Sequence, residues 1–508
     1  MKVFEIVIGM LLGGAILAAI ARRIATPYPA LVAMAGAALA LFPGVPSLML
    51  DPQLVLALFV APVLLDAAFD AQQRDLKKHW RPVVGLAIGA VVLTVLFVAV
   101  LAHALVPGLP WAAAIALGAI VAPPDAAAAT AVLKQLRPPN RLLVVLEGES
   151  LFNDASALLI YRFAIAVSAT GLISGWSFAG TLIGVSVGSV VLALVLSRIV
   201  VHVIPQVHDI ATAVILQFCS CFAVWMLAER LHLSGILTMV VFAMVLSRTA
   251  AQTTPARVRV PSYAVWEVAV FVLNVLAFIL VGFQLRQIVE RTAWTQYIGV
   301  ATAVCIAVIV ARILWVSVAA ALNRWWCRVR SDDGVALSGR AAYIVGWCGM
   351  RGTVTLAAAL ALPVNFPYRD LIFFTSFAVV LVTLVVQGMT LRPLMTWLDV
   401  HDDGTVEREV TLARVETLRA ALDAVKDCGQ GESADLLRRR YELRLRLAQG
   451  NVTPDDTKAA AVVHTATAAE RRRLLELRDN GTIGDTAFQQ IEEELDLKEL
   501  DLLKVVES

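Results

Sequence analysis

Apolar runs of bilayer length follow one another from residue 3 to about residue 393, separated by short polar breaks. A hydrocarbon core of roughly 30 Å needs about 20 apolar residues to cross it as a helix. The runs at 3–21, 29–43, 53–70, 82–106, 111–134, 143–168, 177–204, 209–230, 233–248, 263–285, 296–322, 340–363 and 369–393 therefore predict thirteen transmembrane helices, the second of them short. Beyond residue 396 the pattern changes. Asp435 to Leu447 and Glu470 to Arg478 alternate charge and leucine at helical spacing, and Asn480-Gly481 separates the second run from Asp485 to Leu495, which predicts a helical hairpin. The predicted fold is an all-α polytopic membrane protein, with a membrane domain over 1–395 and a helical tail over 396–508 for regulation or assembly.

Charge fixes the orientation of this arrangement. Odd-numbered connections carry Arg22 and Arg23, then Arg74, Lys77, Lys78 and Arg81, then Lys134, Arg137 and Arg141, and later Arg198, Arg248, Arg257, Arg259, Arg324, Arg328, Arg330 and Arg340. The other side has only Lys2, Arg230, Arg286, Arg291 and Arg369. Positive charge gathers on the cytoplasmic face, so the N-terminus is expected outside and the tail in the cytoplasm of a multi-pass cell-membrane protein. Arg22-Arg23 follows the first apolar run, whereas a signal peptide has its basic residues in front, so that run is expected to be a retained helix.

Composition agrees with the class and excludes others. Of 508 residues 59% are hydrophobic and 16% charged, and a net charge of +2 gives no basis for a nucleic-acid partner. The six cysteines lie mostly in apolar segments with no CxxC pair, which marks them as small core residues rather than disulfides or a metal site.

Four ionisable residues break the apolar pattern at depth. At 1.5 Å per residue, Asp154 lies about 16 Å into its span, Asp125 about 21 Å, Asp66 about 20 Å and Arg351 about 15 Å. Charges at the bilayer centre cost several kcal/mol on some scales and mark ion or proton paths. The span holding Asp154 also contains Glu147, Glu149, Ser150 and Asn153. The fifth and twelfth spans carry helix breakers beside their charges, Pro123-Pro124 in one and Gly349 with Gly352 in the other. If spans 1–6 and 8–13 are inverted repeats, these two are corresponding, oppositely directed broken helices. Such a pair marks a transporter's midplane site.

Three motifs, Ala122-Pro123-Pro124-Asp125, Glu147 through Asp154, and Gly346 through Leu356, together resemble the cation:proton antiporter-1 family. That group includes NhaP-type bacterial sodium/proton antiporters and animal sodium/hydrogen exchangers. Trp266-Glu267 and Phe278 to Leu285 extend the likeness over the membrane part.

The resemblance implies exchange of Na⁺ for H⁺, with Li⁺ or K⁺ as alternative cations, a homodimer in membrane lipid, and no cofactor. It implies that Asp154 binds either cation or proton, beside Asn153, with Ser150 and Asp66 as further ligands. It also implies that Glu149 pairs with Arg351 and that Asp125 offsets the positive end of a half-helix. Pro124 departs from the pattern, because many relatives have a ligating Thr there, and Thr130 is too far along to replace it.

The residues support this chemistry without the name. One carboxylate that holds a proton or a cation, but not both, gives antiport when its access alternates. An Asn beside it supplies oxygen without a second titratable charge, which among relatives accompanies electroneutral exchange. Oxygen ligands suit alkali cations rather than transition metals. Glu147 is read as an entrance charge, and Arg162 and Arg312 have no assigned role. Asp125 and Asp154 could alternatively form the acid–base dyad of an intramembrane protease, although the Gly-x-Gly-Asp setting is absent; K⁺/H⁺ exchange or a cation channel also remain open.

Overall fold

The computed structural model describes residues 2–40, 52–170, 175–330, 339–427 and 431–449, apart from scattered positions, and parts of 466–495. The chain forms two compact units, Met1–Asp402 and Asp403–Ser508. Among the described residues the regular structure is entirely helical.

The first unit contains α1 (Lys2–Ile24), α2 (Tyr28–Ala40), α3 (52–70), α4 (80–105), α5 (Trp111–Val121), α6 (Ala126–Leu136), α7 (Asn140–Thr170) and α8 (Gly175–Val203). It continues with α9 (Ile210–Arg230), α10 (Gly235–Thr253), α11 (Ala256–Arg291), α12 (Ile298–Arg330), α13 (Gly339–Trp347), α14 (Thr353–Leu360) and α15 (Arg369–Leu398). Among the described residues, eight helices are long and apolar enough to cross a bilayer, while α2, α5 and α10 are apolar but shorter. Three helices widen by a π-helical turn: α3 at Leu56–Val60, α4 at Gly85–Ala90 and α15 at Thr383–Gln387.

The apolar stretch 111–134 is divided between α5 and α6, with residues 122–125 non-helical, and 340–363 is divided between α13 and α14, with 348–352 non-helical. Pro123 and Pro124 have no N–H to continue the first ladder. The glycines lower the helical preference of the second. Side chains cap the starts of α9 and α10. Thr212 N–H donates to Asp209 Oδ2 at 2.8 Å to begin α9, and Leu237 N–H donates to Ser234 Oγ at 3.3 Å to begin α10.

Packing radiates from α7. Its Leu142, Val145 and Leu146 join an apolar cluster with residues of α2, α11, α13 and α15. Leu151 and Ala155 join a second with α3, α9 and α10. Ala157, Tyr161 and Ala164 join a third with α4, α5 and α12. Small residues let helices approach closely in a membrane: on α5, a methyl group at Gly118 would meet the Val95 backbone oxygen of α4 at 2.7 Å. The outer surface has the opposite character. Ile183, Val187, Val191, Leu194 and Ile199 of α8 are all exposed and apolar, a face suited to lipid tails.

In the second unit, α16 (Thr405–Asp427) packs against α17 (Glu432–Ala448). Intrahelical pairs such as Arg419–Glu416 and Arg438–Glu442 decorate their surfaces. Residues 469–478 are helical, and Leu474 clusters with Phe488 and Leu495, over which Arg478 lies 4.4 Å from the Phe488 ring centroid. The described part of the predicted hairpin therefore has an apolar seam. Gly481 and Asp485 lie outside the described residues.

Candidate ion site

Helical spacing separates the polar residues of α7 onto two faces. Glu147, Ser150 and Asp154 fall on one at i, i+3 and i+7, while Glu149 and Asn153 fall on the next at i, i+4. The first face lines a cavity of about 280 Å³, which Asp66 of α3, Pro124, Asp125, Thr130 and Asn274 also border, together with Thr353 and Thr355 of α14. Four of the residues singled out by sequence, Asp154, Ser150, Asp66 and Asp125, thus share one space. Asp154 is only 6% exposed although its carboxylate belongs to that space. Asn153 is fully buried beside it, and its Nδ2 donates to the Pro124 carbonyl at 3.5 Å.

The two non-helical segments are bonded to each other. Asp125 N–H donates to the Met350 carbonyl at 2.6 Å. In return the Arg351 guanidinium donates to the Val121 carbonyl from Nε at 3.0 Å and to the Ala122 carbonyl from Nη2 at 3.2 Å, and also to the Gly349 carbonyl. The acceptors at 121 and 122 are unused C-terminal carbonyls of α5, the negative end of that helix. At the opposite pole, the Asp125 carboxylate lies against Gly352, the residue preceding α14; a methyl group at 352 would overlap it. An acid at a helix N-terminus and a guanidinium at a C-terminus each meet the favourable end of a dipole.

This geometry corrects the expected Glu149–Arg351 pair. Glu149 is held by Arg312 of α12, with Nη1 to Oε1 at 2.5 Å and Nη2 to Oε2 at 2.9 Å, both residues being at most 2% exposed. Nη2 also donates to the Val345 carbonyl at 3.2 Å. Arg351 is close by, but its planar fork is already occupied by backbone carbonyls, so the acid takes the other buried arginine. Arg312 is thus one of the two arginines, with Arg162, that the sequence left without a role. A lone arginine inside an apolar span was a usable signal, since such a charge requires a partner.

A second cavity, about 500 Å³, adjoins the first, and Asp66 and Asp70 border both. Its wall includes Glu267, Arg259 and Trp266 of α11. Trp266 stacks on Phe218 with ring centroids 4.2 Å apart and donates from Nε1 to Gln217 Oε1 at 2.8 Å, which fixes the indole in that wall. Glu267, noted in the sequence beside Trp266, therefore belongs to this second cavity and not to the lining of the Asp154 cavity.

Long apolar helices around an internal cavity lined by carboxylates define a multi-pass membrane transporter. Comparison with known proteins sharpens that class. Residues 5–397 match the family described as "Sodium/hydrogen exchanger, transmembrane". An uncharacterized Na(+)/H(+) exchanger of Mycobacterium tuberculosis is 31% identical over 527 positions, covering 99% of this chain and 95% of its own length. A Bacillus subtilis protein named "Sodium, potassium, lithium and rubidium/H(+) antiporter" is 28% identical over 79% of this chain and 62% of its own. The solved structure of the sodium proton antiporter MjNhaP1 from Methanocaldococcus jannaschii shares the fold, with a TM-score of 0.62 at 19% identity over 76% of this chain and 99% of that one. The chain belongs to the sodium/hydrogen exchanger family. Its members are transporters, which sets aside the protease alternative.

Proposed function

We propose that this protein exchanges Na⁺ for H⁺, one for one, by competition of the two ions at Asp154 under alternating access. The observation that carries the proposal is the common cavity of Asp154, Asp66 and Ser150 inside the helical unit. A carboxylate there binds a proton covalently or a cation electrostatically, and the gain of either displaces the other. Ser150 and Asp66 offer the cation oxygen ligands. Asn153 offers a neutral amide where a second acid would add charge. Asp125 and Arg351, bound to helix ends, hold the non-helical segments in place and remain with the protein through the cycle. The larger cavity is the route from one side of the membrane, with Asp66 and Asp70 at the junction and Glu147 as an entrance charge on the wall of the Asp154 cavity.

The same reading takes α5 with α6, and α13 with α14, as the two interrupted crossing helices of an inverted repeat. It comprises thirteen crossings, an outside N-terminus, a cytoplasmic regulatory or assembly tail after residue 396, a cell-membrane location and a homodimer. Pro124, which supplies no hydroxyl, and the several cations named for the Bacillus relative favour a second reading within the class, in which K⁺ is also exchanged.

The test uses purified protein in liposomes carrying an imposed pH gradient. Addition of Na⁺ or Li⁺ is expected to dissipate the gradient, at a rate unchanged by an imposed membrane potential. Asp154→Asn is expected to abolish the response. Exchange by that variant at the unsubstituted rate would remove Asp154 from the role assigned to it. A response to K⁺ equal to that of Na⁺ would select the second reading.

A further inference from the structure

The cavity around Asp154 contains a polar group with no part in the scheme above. Thr355, the third residue of α14, is 1% exposed and borders the cavity with Asp154, Asp66 and Ser150. Its Oγ1 is buried and has no hydrogen-bond partner. A threonine within a helix ordinarily donates to the carbonyl one turn earlier, as Thr383 does to Val379 at 2.7 Å and Thr396 to Arg392 at 2.9 Å. The residue one turn before Thr355 is Arg351, which lies in the non-helical segment 348–352. The interruption of the helix therefore removes the local acceptor and leaves the hydroxyl available to the cavity. Buried hydroxyls without a partner are uncommon in folded proteins, and each calls for a ligand or a water.

We propose that Thr355 Oγ1 is a neutral oxygen ligand of the transported alkali cation and a determinant of cation selectivity. The inference rests on the exchange reading in which Asp154 binds the cation. Alkali ions favour hard oxygen donors, and this cavity combines carboxylates of α3, α7 and the 122–125 segment with uncharged side-chain oxygens, those of Ser150 and Thr355 among them. Pro124, with a ring in place of a hydroxyl, provides none from its side chain. Thr355 approaches from α14, the helix that follows the other non-helical segment, and adds an oxygen without adding a titratable charge. Its contribution falls on the cation and not on the competing proton, so it tunes affinity among cations while leaving proton binding to Asp154.

The experiment uses the full-length protein in liposomes and compares Thr355→Val, which keeps the shape and deletes the hydroxyl, with Thr355→Ser, which keeps the hydroxyl. Thr355→Val is expected to raise the KM for Na⁺ and Li⁺ about tenfold with Vmax retained, the size of one lost ligand interaction of about 1.4 kcal/mol. Thr355→Ser is expected to stay within about twofold of the unsubstituted protein. A Thr355→Val protein that folds and keeps its cation KM overturns the proposal, as does a loss of Vmax or thermal stability with no change in KM, the signature of a packing role. If Thr355→Val does not fold, Thr355→Cys decides. Replacing oxygen by soft sulfur is expected to shift the ratio of Tl⁺ to Na⁺ exchange toward Tl⁺, and an unchanged ratio overturns the proposal. Absence of exchange in the unsubstituted protein, or full exchange by Asp154→Asn, would overturn the underlying reading as well. A silent Thr355→Val beside an inactive Asp154→Asn would overturn the threonine alone.

Discussion

Two buried arginines and one buried glutamate divide their contacts according to shape. Glu149 receives both terminal nitrogens of Arg312, while the fork of Arg351 spreads over three backbone carbonyls. A buried pair adds little net stability, yet removal of one partner strands the other charge at a cost of about 3–5 kcal/mol. Arg312→Met is therefore expected to lower the thermal stability of the detergent-purified protein by that order. The double variant Glu149→Met/Arg312→Met is expected to recover most of the loss. A single variant as stable as the parent would mean that Glu149 finds another partner. At this scale the sequence was informative about depth and face. Spacing of i, i+4 put Ser150 beside Asp154, and counting residues into each span brought Asp66 and Asp125 to the same level. Pairing was beyond it, because two arginines at similar depth compete for one acid and a linear pattern contains no distance between helices.

At the level of elements, the interruptions at 122–125 and 348–352 were legible from Pro123-Pro124 and from the glycines, since local chemistry decides where a helix ladder stops. Their interlocking was not. Asp125 N–H reaching Met350, and Arg351 reaching Val121 and Ala122, are contacts between segments more than 200 residues apart. The π-helical turns in α3, α4 and α15 were equally invisible, because their apolar sequences fit an ordinary helix. The tightest point of the interlock is the Gly352–Asp125 contact. Gly352→Ala forces the carboxylate aside, and overpacking of this kind costs about 1–3 kcal/mol. Such a variant is expected to lose exchange and thermal stability together, and the added change Asp125→Ala is expected to restore stability. Failure of the second change to do so would place the strain elsewhere.

For the molecule as a whole, thirteen apolar stretches and an abrupt change near residue 396 predict a membrane unit followed by a charged helical one; the chain forms two compact units, Met1–Asp402 and Asp403–Ser508. The number of crossings is harder to read, because helices such as α2 and α5 are apolar but short. The proposed competition at a single carboxylate makes a prediction at this scale. On that reading, lowering pH fills Asp154 with protons, so the KM for Na⁺ is expected to rise, by up to about tenfold per pH unit, the limit of one proton displaced per cation. Vmax is expected to stay constant. A KM independent of pH across that range would show that proton and cation occupy separate sites. The position of α7 has a mechanical consequence. Its successive turns are keyed into three apolar clusters, and close-packed interiors do not deform continuously. The helix has no slack in which to slide, so any motion of Asp154 carries with it the helices packed against α7, as a block rather than as a moving rod.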